Sequence, residues 1–343
     1  MKRAFSFLAV ITVLLTLLSA CSKPPETPSS PQTPQTPAVP AQPSTPPTPS
    51  GPATPAQPTY EGWSHVQLEG EVGLSTLISV SGGLVGASAT VAYFSADGQK
   101  WSVSHDPAPY AIQRALSGTG EAILIDNRHT RKSSDGINWT VIERDYYYSF
   151  MTMIADGNGY LGVMGSILMT SQDGAKYHRF VPVGNGLREI WFLDDGGRPT
   201  TISNLYCFDG TYYALGEKVW RSTDLSNWEV AFAGQAPATG LSQMYYNGTN
   251  YLLQNFYYVF TFDGTDVARL DLKASRLTVD DSGRFVAVNT ADGTTYVSSD
   301  GHQWTELFGP AGHAIMVYDI AVHDGKLILS CEKGNIYYRQ MEY

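Results

Sequence analysis

A seven-residue phrase, Ser-x-Asp-Gly-x-x-Trp, returns along this chain of 343 residues. Three copies are complete and three are altered, and the altered ones keep the aspartate. A fixed period of roughly 20–50 residues is typical of a repeat architecture, in which each repeat is one small structural unit. The complete copies span 95–101, 133–139 and 298–304, and the altered copies span 171–177, 222–228 and 261–267.

The last position of the phrase recurs at intervals of 37 to 39 residues, with one longer interval of 51. Trp63 lies 38 residues before Trp101, although no Ser-x-Asp-Gly precedes it. Near the other terminus, the segment 335–339 resembles the strand that leads into each copy, such as 91–94. We therefore predict one unit that is split, with its last strand at the N-terminus and its first three strands at the C-terminus. Six whole units and this split unit make seven.

Each unit has the pattern of short β-strands joined by tight turns. Asp-Gly or Asn-Gly pairs precede several copies, and such pairs between β-prone runs are strong hairpin signals. They occur at 156–157, 209–210, 247–248 and 324–325. Four strands in about 40 residues are typical of a propeller blade. The sequence thus predicts an all-β fold, a seven-bladed β-propeller of four-stranded antiparallel blades, whose ring is closed by the split blade.

The repeated phrase resembles the Asp-box, or BNR repeat, of sialidases, sortilin-type receptors and photosystem II assembly factors of the Ycf48 type. The resemblance covers the boxes and implies a structural role for them. The carboxylate accepts hydrogen bonds from turn amides, the glycine supplies a positive φ, and the aromatic residue packs between sheets. The box aspartates are therefore expected to be structural and not catalytic: Asp97, Asp135, Asp173, Asp224, Asp263 and Asp300.

The N-terminal segment has the features of a lipoprotein leader and a tether. Lys2 and Arg3 precede an apolar run, and Leu-Ser-Ala then leads into Cys21. This order is typical of a secretory signal, and the last four residues resemble the bacterial lipobox, which implies lipidation of Cys21. Fourteen of the 20 prolines lie between residues 24 and 58. We expect a signal peptide at 1–20, a lipid-anchored, disordered Pro/Thr/Ser-rich tether at 21–60 and the propeller at 61–343.

Charge and cysteine content narrow the classes of partner. The net charge of −10, with no basic run outside the leader, argues against a nucleic-acid partner. Cys207 and Cys331 are predicted to lie in different repeats as free, buried thiols. We expect a monomer on the extracytoplasmic face of a membrane. Its partner would be an envelope or extracellular protein or a glycan.

Signals for chemistry are weak. The seven histidines have no metal-ligand spacing, and no nucleophile elbow or phosphate loop occurs, so no cofactor, metal or catalytic residue is predicted. Residues 194–197 are read as an acidic turn, not as a calcium site. Sialidases need an arginine triad introduced by an Arg-Ile-Pro-like phrase, and Arg198-Pro199 lacks the middle residue. A glycoside hydrolase and an assembly factor for an envelope complex remain alternatives to a non-enzymatic binding module.

Aromatic residues indicate where a ligand would bind. The segments 146–150 and 256–258 are expected in connections that open on the face opposite the Asp-boxes, and the extra length of the 51-residue interval is expected in a connection of the same kind at 187–199. Functional residues concentrate in loops on rigid scaffolds. The predicted ligand-binding residues, against the alternative that they fill space between blades, are Tyr146, Tyr148, Arg188, Trp191 and Tyr257.

Overall fold

The computed structural model describes residues 62–105, 111–112, 114–117, 120–145, 150, 152–183, 186–308 and 316–341. The leader, Cys21 and the tether therefore lie outside the described residues, as do Tyr146 and Tyr148. The described residues form antiparallel β-sheets with two short 3-10 turns, Glu69–Glu71 and Glu332–Gly334. None of the helices in these ranges has the length and apolar character needed to cross a bilayer.

The strands are numbered in chain order. The first fourteen are β1 (Ser64–Gln67), β2 (Thr76–Val80), β3 (Gly83–Ala87), β4 (Ala92–Ser95), β5 (Ser102–His105), β6 (Arg114–Ser117), β7 (Ala122–Ile125), β8 (His129–Ser133), β9 (Thr140–Glu143), β10 (Thr152–Ala155), β11 (Tyr160–Met164), β12 (Ile167–Ser171), β13 (Phe180–Val183) and β14 (Gly186–Glu189). The others are β15 (Ile202–Phe208), β16 (Thr211–Gly216), β17 (Val219–Ser222), β18 (Glu229–Phe232), β19 (Gln243–Tyr246), β20 (Tyr251–Gln254), β21 (Val259–Phe262), β22 (Val267–Arg269), β23 (Arg276–Val279), β24 (Phe285–Val288), β25 (Thr295–Ser298), β26 (Thr305–Phe308), β27 (Val317–His323), β28 (Lys326–Cys331) and β29 (Asn335–Gln340).

These strands confirm the predicted seven-bladed propeller. Blade 1 contains β2–β5, blade 2 contains β6–β9, blade 4 contains β15–β18, blade 5 contains β19–β22 and blade 6 contains β23–β26, each with its strands paired in sequence order. Blade 7 is the predicted split blade, with the order β1-β29-β28-β27. Its β1 pairs with β29 from Ser64 opposite Tyr338 to Gln67 opposite Asn335, so the two chain ends close the ring.

Blade 3 departs from the regular pattern at its outer edge. Its sheet contains β10, β11 and β12, and the place of a fourth strand is filled by two separate bridges, Thr170 to His178 and Ile167 to Trp191. Between these bridges the chain leaves the blade as the hairpin β13–β14. The extra residues of the long interval therefore begin inside the outer strand, and their expected position entirely within the following connection is wrong.

Seven hydrophobic clusters hold the ring together, one at each junction between neighbouring blades. The last residue of each box packs into one of them. Trp101, for example, packs with Leu84 of its own blade and with Ile328 and Ile336 of blade 7. The box glycine Gly136 approaches the neighbouring sheet so closely that a Cβ there would lie 2.5 Å from the Phe94 ring of blade 1. The repeat therefore places one aromatic or apolar residue into each of six junctions.

Both cysteines among the described residues are free thiols, as predicted. Cys331 is buried as expected, but Cys207 is only half-buried, so its predicted burial is wrong. Burial raises the pKa of the Cys331 thiol to about 12. The two residues lie in β28 and β15, in different blades.

Candidate functional site

The six box turns and the turns between first and second strands lie at one end of the blades, which we call the box face. The inner strand of every blade begins at the other end, which we call the opposite face. A cavity of about 1000 Å³ follows the axis, lined by the first residues of inner strands, such as Thr76, Gln243 and Arg276. Gln254, the last residue of the second strand of blade 5, and the following residues Asn255 and Phe256 also line it. Most of the described lining of this axial cavity therefore lies towards the opposite face, although Ala155, Cys207 and Phe208, at the box-face ends of β10 and β15, line the cavity too.

Polar side chains in the cavity wall link one blade to the next. Asn204 Nδ2 of blade 4 donates to the Ser242 carbonyl of blade 5 over 2.5 Å, and Asn204 Oδ1 accepts from Thr152 Oγ1 of blade 3 over 3.2 Å. Gln254 Nε2 of blade 5 donates to the Ser275 carbonyl of blade 6 over 3.3 Å. These amides thus have fixed orientations at the axis.

A carboxylate and a guanidinium occupy the same wall on neighbouring blades. Asp319 Oδ2 of blade 7 accepts the Leu77 N–H of blade 1 over 2.7 Å. Arg276 Nε of blade 6 donates to the Tyr318 carbonyl of blade 7 over 2.7 Å. A register shift between Val317 and Asp319 marks a β-bulge at the start of β27, and bulges re-aim side chains near functional sites. A second register shift, between Ile202 and Asn204, marks a β-bulge near the start of β15.

Burial raises the pKa of Asp319 to about 6, against the opposing effects of the Leu77 and Ile320 N–H groups and the Arg276 charge. The folded protein therefore binds a proton at Asp319 more tightly than the unfolded chain does. This group favours folding below its unfolded pKa of about 4, and that contribution is lost as the pH rises through 6.

An Asp319→Asn variant is expected to be more stable than the wild type at pH 7.5 by about 1–2 kcal/mol, because it removes a half-buried charge. At about pH 4 the difference should shrink towards zero. Thermal unfolding of both proteins at the two pH values measures this effect. The exposed Asp281 offers a control, since Asp281→Asn should leave the unfolding temperature unchanged at both. A stability difference for Asp319→Asn that is independent of pH would contradict the raised pKa.

An exposed aromatic pair stands at the rim of the cavity. The side chains of Phe256 and Tyr257 are 89% and 75% exposed, and their rings meet edge to face at a centroid distance of 5.1 Å. The buried Asn255 fixes this turn: its Oδ1 accepts the N–H groups of Tyr257 and Tyr258, and its Nδ2 donates to the Pro237 and Thr239 carbonyls. The pair is thus presented to solvent on an ordered turn.

The six box aspartates serve their own turns and do not meet in a site. In each box, Oδ1 of the aspartate accepts two backbone N–H groups of the turn at 2.7–3.1 Å. For Asp224, the N–H and side chain of Asn227 lead the hydrogen bonds that lower its pKa to about 2. In that box Leu225 replaces the glycine and adopts a left-handed conformation with a φ of 62°.

The three predicted ligand-binding residues that the structure describes do not come together. Tyr257 follows Phe256, which lines the axial cavity, in the link between β20 and β21 on the opposite face, as expected. Trp191 is 42% exposed on the outer edge of blade 3, and it is not among the described residues that line the cavity. Arg188 Nη2 donates to the Ser226 carbonyl in the box of blade 4 over 2.6 Å. Arg188 therefore lies on the box side, and its predicted place on the opposite face is wrong.

The residues that line the cavity were not found from the sequence. Asn204, Gln243, Arg276 and Asp319 are far apart in the chain, and each lies at or near the start of an inner strand. One signal could have found them: a polar side chain at the start of an otherwise apolar innermost strand, repeated once per unit.

The described residues contain no group of three or more His, Cys, Asp or Glu side chains placed to hold a metal ion. In the acidic turn at 194–197, the Asp194 carboxylate accepts hydrogen bonds from its own segment. Asp194 Oδ1 accepts the N–H groups of Gly196 and Arg198, and its Oδ2 accepts Arg198 Nε over 2.9 Å.

No protein-family model matches the chain, and no curated protein matches it. Solved structures match its fold. Ycf48 bound to a D1 peptide is 14% identical, with 82% of this chain and 98% of that chain covered and a TM-score of 0.57. The virginiamycin B lyase of Staphylococcus aureus is 10% identical, with 80% and 98% covered and a TM-score of 0.60. An extracellular domain of a putative one-component system of B. thetaiotaomicron is 14% identical, with 83% and 40% covered and a TM-score of 0.59. These similarities place the chain among the β-propeller proteins.

Proposed function

We propose that this protein is a membrane-anchored, extracytoplasmic binding module that recognises a protein or glycan ligand without transforming it. The ligand binds at the mouth of the axial cavity, on the face opposite the boxes. The observation that carries the proposal is the juxtaposition of that cavity with the exposed Phe256–Tyr257 pair. Concave sites with a few fixed polar groups are typical of ligand binding, and exposed aromatic patches mark interaction surfaces.

Two features favour binding over hydrolysis. Retaining and inverting glycosidases generally need two carboxyl groups across the scissile bond, and Asp319 is the one carboxylate among the described residues of the cavity wall. Its oxygen is also engaged with the Leu77 N–H at the junction of blades 7 and 1. Among proteins of the same fold, Ycf48 binds a peptide and the Staphylococcus aureus protein is a lyase, so the fold itself serves both uses.

Loss of the aromatic pair tests this function. Truncation of an aromatic anchor costs about 2–4 kcal/mol of binding free energy, so Phe256→Ala and Tyr257→Ala should each weaken ligand capture by roughly 30-fold or more. The assay is capture from envelope extract by the full chain in detergent, followed by thermal unfolding of each variant.

The matched control is Phe180→Ala, which removes an exposed aromatic ring from the hairpin β13–β14. All three variants should unfold at the wild-type temperature, because exposed side chains contribute little to stability. Capture that survives both rim substitutions would refute the proposed binding face.

We further propose that lipidation of Cys21 anchors the protein and that the Pro-rich segment 22–60 holds the propeller away from the membrane. A Cys21→Ser variant should fold but leave the membrane fraction, because stable anchoring depends on the acyl chains. Fractionation and incorporation of labelled palmitate measure this. A wild-type protein that takes up no palmitate, or a Cys21→Ser protein with its leader removed that still sediments with membranes, would contradict the anchor.

A further inference from the structure

The axial cavity presents polar groups beside apolar ones. Successive side chains of an inner strand point to the two junctions that flank the blade, as Leu77 and Ile78 do. Polar residues at or near the starts of inner strands nevertheless line the cavity, among them Thr152, Asn204 and Arg276. The exposed side chains of Met316 and Tyr318 line it as well.

The polar groups of this wall are ordered before any ligand arrives. Tyr245 donates its hydroxyl to Gln254 Oε1 over 3.0 Å, while Gln254 Nε2 donates to the Ser275 carbonyl. Tyr206 donates to Gln243 Oε1 over 2.9 Å. Gln243 is exposed, and among the described residues nothing accepts from its Nε2. Such an amide has a fixed plane and an unused donor, which lowers the entropic cost of binding a hydroxyl group.

The charges of the wall balance. Asp319 and Arg276 lie in the inner strands of adjacent blades and are the two charged side chains among the described residues that line the cavity. One carboxylate and one guanidinium give the wall no excess of either charge, which suits an uncharged ligand. Both groups still offer hydrogen bonds, and charge-assisted bonds are the stronger ones.

The rim adds exposed aromatic ring faces. Phe256 and Tyr257 are the two most exposed large hydrophobic side chains among the described residues, and their turn is fixed by Asn255. The C–H face of a sugar ring is flat and apolar, whereas its edge carries hydroxyl groups that donate and accept. A cavity with planar amides and some exposed apolar side chains, beside exposed aromatic rings, complements both surfaces.

We propose that the ligand is an uncharged oligosaccharide. Its terminal rings enter the axial cavity and bind Gln243, Gln254 and Asp319, and a following ring stacks on Phe256 or Tyr257. This inference rests on the proposed function, because it names the ligand class of the same site.

The test uses the purified full chain in detergent against three probes. These are an array of neutral and sialylated oligosaccharides, a calorimetric titration with the strongest of the neutral ones, and a random dodecapeptide phage library. We expect at least one neutral oligosaccharide to bind. Gln243→Ala should weaken its affinity by about tenfold, and Phe256→Ala should weaken it by roughly 30-fold or more. The matched box-side controls, Gln303→Ala and Phe180→Ala, should bind as the wild type does.

The outcomes separate this inference from the proposed function. If no neutral oligosaccharide binds, or if one binds equally to the wild type and both axial variants, the carbohydrate inference is wrong. If the library yields peptides whose binding is lost in Phe256→Ala, the axial face is a binding site for protein and only the carbohydrate inference falls. If neither axial variant changes the binding of any ligand that the wild type captures, the proposed binding face falls as well.

Discussion

Removal of residues 335–343 is expected to prevent the propeller from folding cooperatively. The deletion takes away β29, which pairs with both β1 and β28, so the N-terminal strand loses its only described partner strand in blade 7. It also removes Ile336 and Tyr337, which are buried in the clusters on either side of that blade. Loss of each such side chain costs about 2–5 kcal/mol, and the total approaches the whole stability of a typical domain of about 5–15 kcal/mol.

Thermal and urea unfolding should therefore show no cooperative transition for the truncated protein, and its open sheet edges should promote aggregation. A deletion of nine residues from the Pro-rich segment 24–58 is the control and should leave the transition unchanged. Wild-type unfolding behaviour after the C-terminal deletion would mean that the ring does not depend on the split blade for closure.

Two adjacent residues at the edge of blade 3 should differ sharply in their effect on stability. Phe192 is 1% exposed and meets the rings of Trp220 and Trp228 edge to face at centroid distances of 5.5 and 5.1 Å. Trp191 points outwards and donates its Nε1–H to Glu189. Phe192→Ala is expected to lower the free energy of unfolding by about 3–5 kcal/mol, whereas Trp191→Ala should cost less than about 1 kcal/mol.

Urea unfolding of both variants measures this difference, and each serves as the control of the other. A large loss for Phe192→Ala alone would show that Phe192, which lies just after the hairpin β13–β14, stabilises the junction of blades 3 and 4. Equal losses, or a larger loss for Trp191→Ala, would show that the outer edge of blade 3 is packed differently.

The blade count could be predicted because its determinants are local. The aspartate of each box accepts the N–H groups two and three residues later and needs no distant partner, so each turn can be predicted from the local sequence alone. The split blade followed from the same period, since Trp63 and the segment 335–339 complete a unit only together. In the structure, the centroids of the Trp63 and Phe308 rings are 5.8 Å apart, at the junction of blades 6 and 7.

The hairpin β13–β14 and the residues of the axial cavity could not be predicted from local sequence patterns. The sequence of residues 180–189 does not indicate that the outer strand of blade 3 resumes at Ile190. In the structure, the Leu168 N–H donates to the Ile190 carbonyl over 3.0 Å. Arg188 was misplaced for that reason. The axial cavity collects single residues from separate blades, and two of them, Asn204 and Asp319, are aimed by β-bulges. Such a bulge depends on pairing between strands and leaves no local pattern.

The central claim is that a ligand binds at the rim of the axial cavity on the face opposite the boxes. Photocrosslinking in intact cells tests it most directly, with p-benzoylphenylalanine introduced in place of Tyr257 at the rim or in place of Ile137, an exposed residue of a box turn. Both positions are exposed, so neither change should disturb the fold. We predict a discrete crosslinked species from position 257 and none from position 137. Crosslinking from position 137 alone, or equally from both positions, would contradict the account.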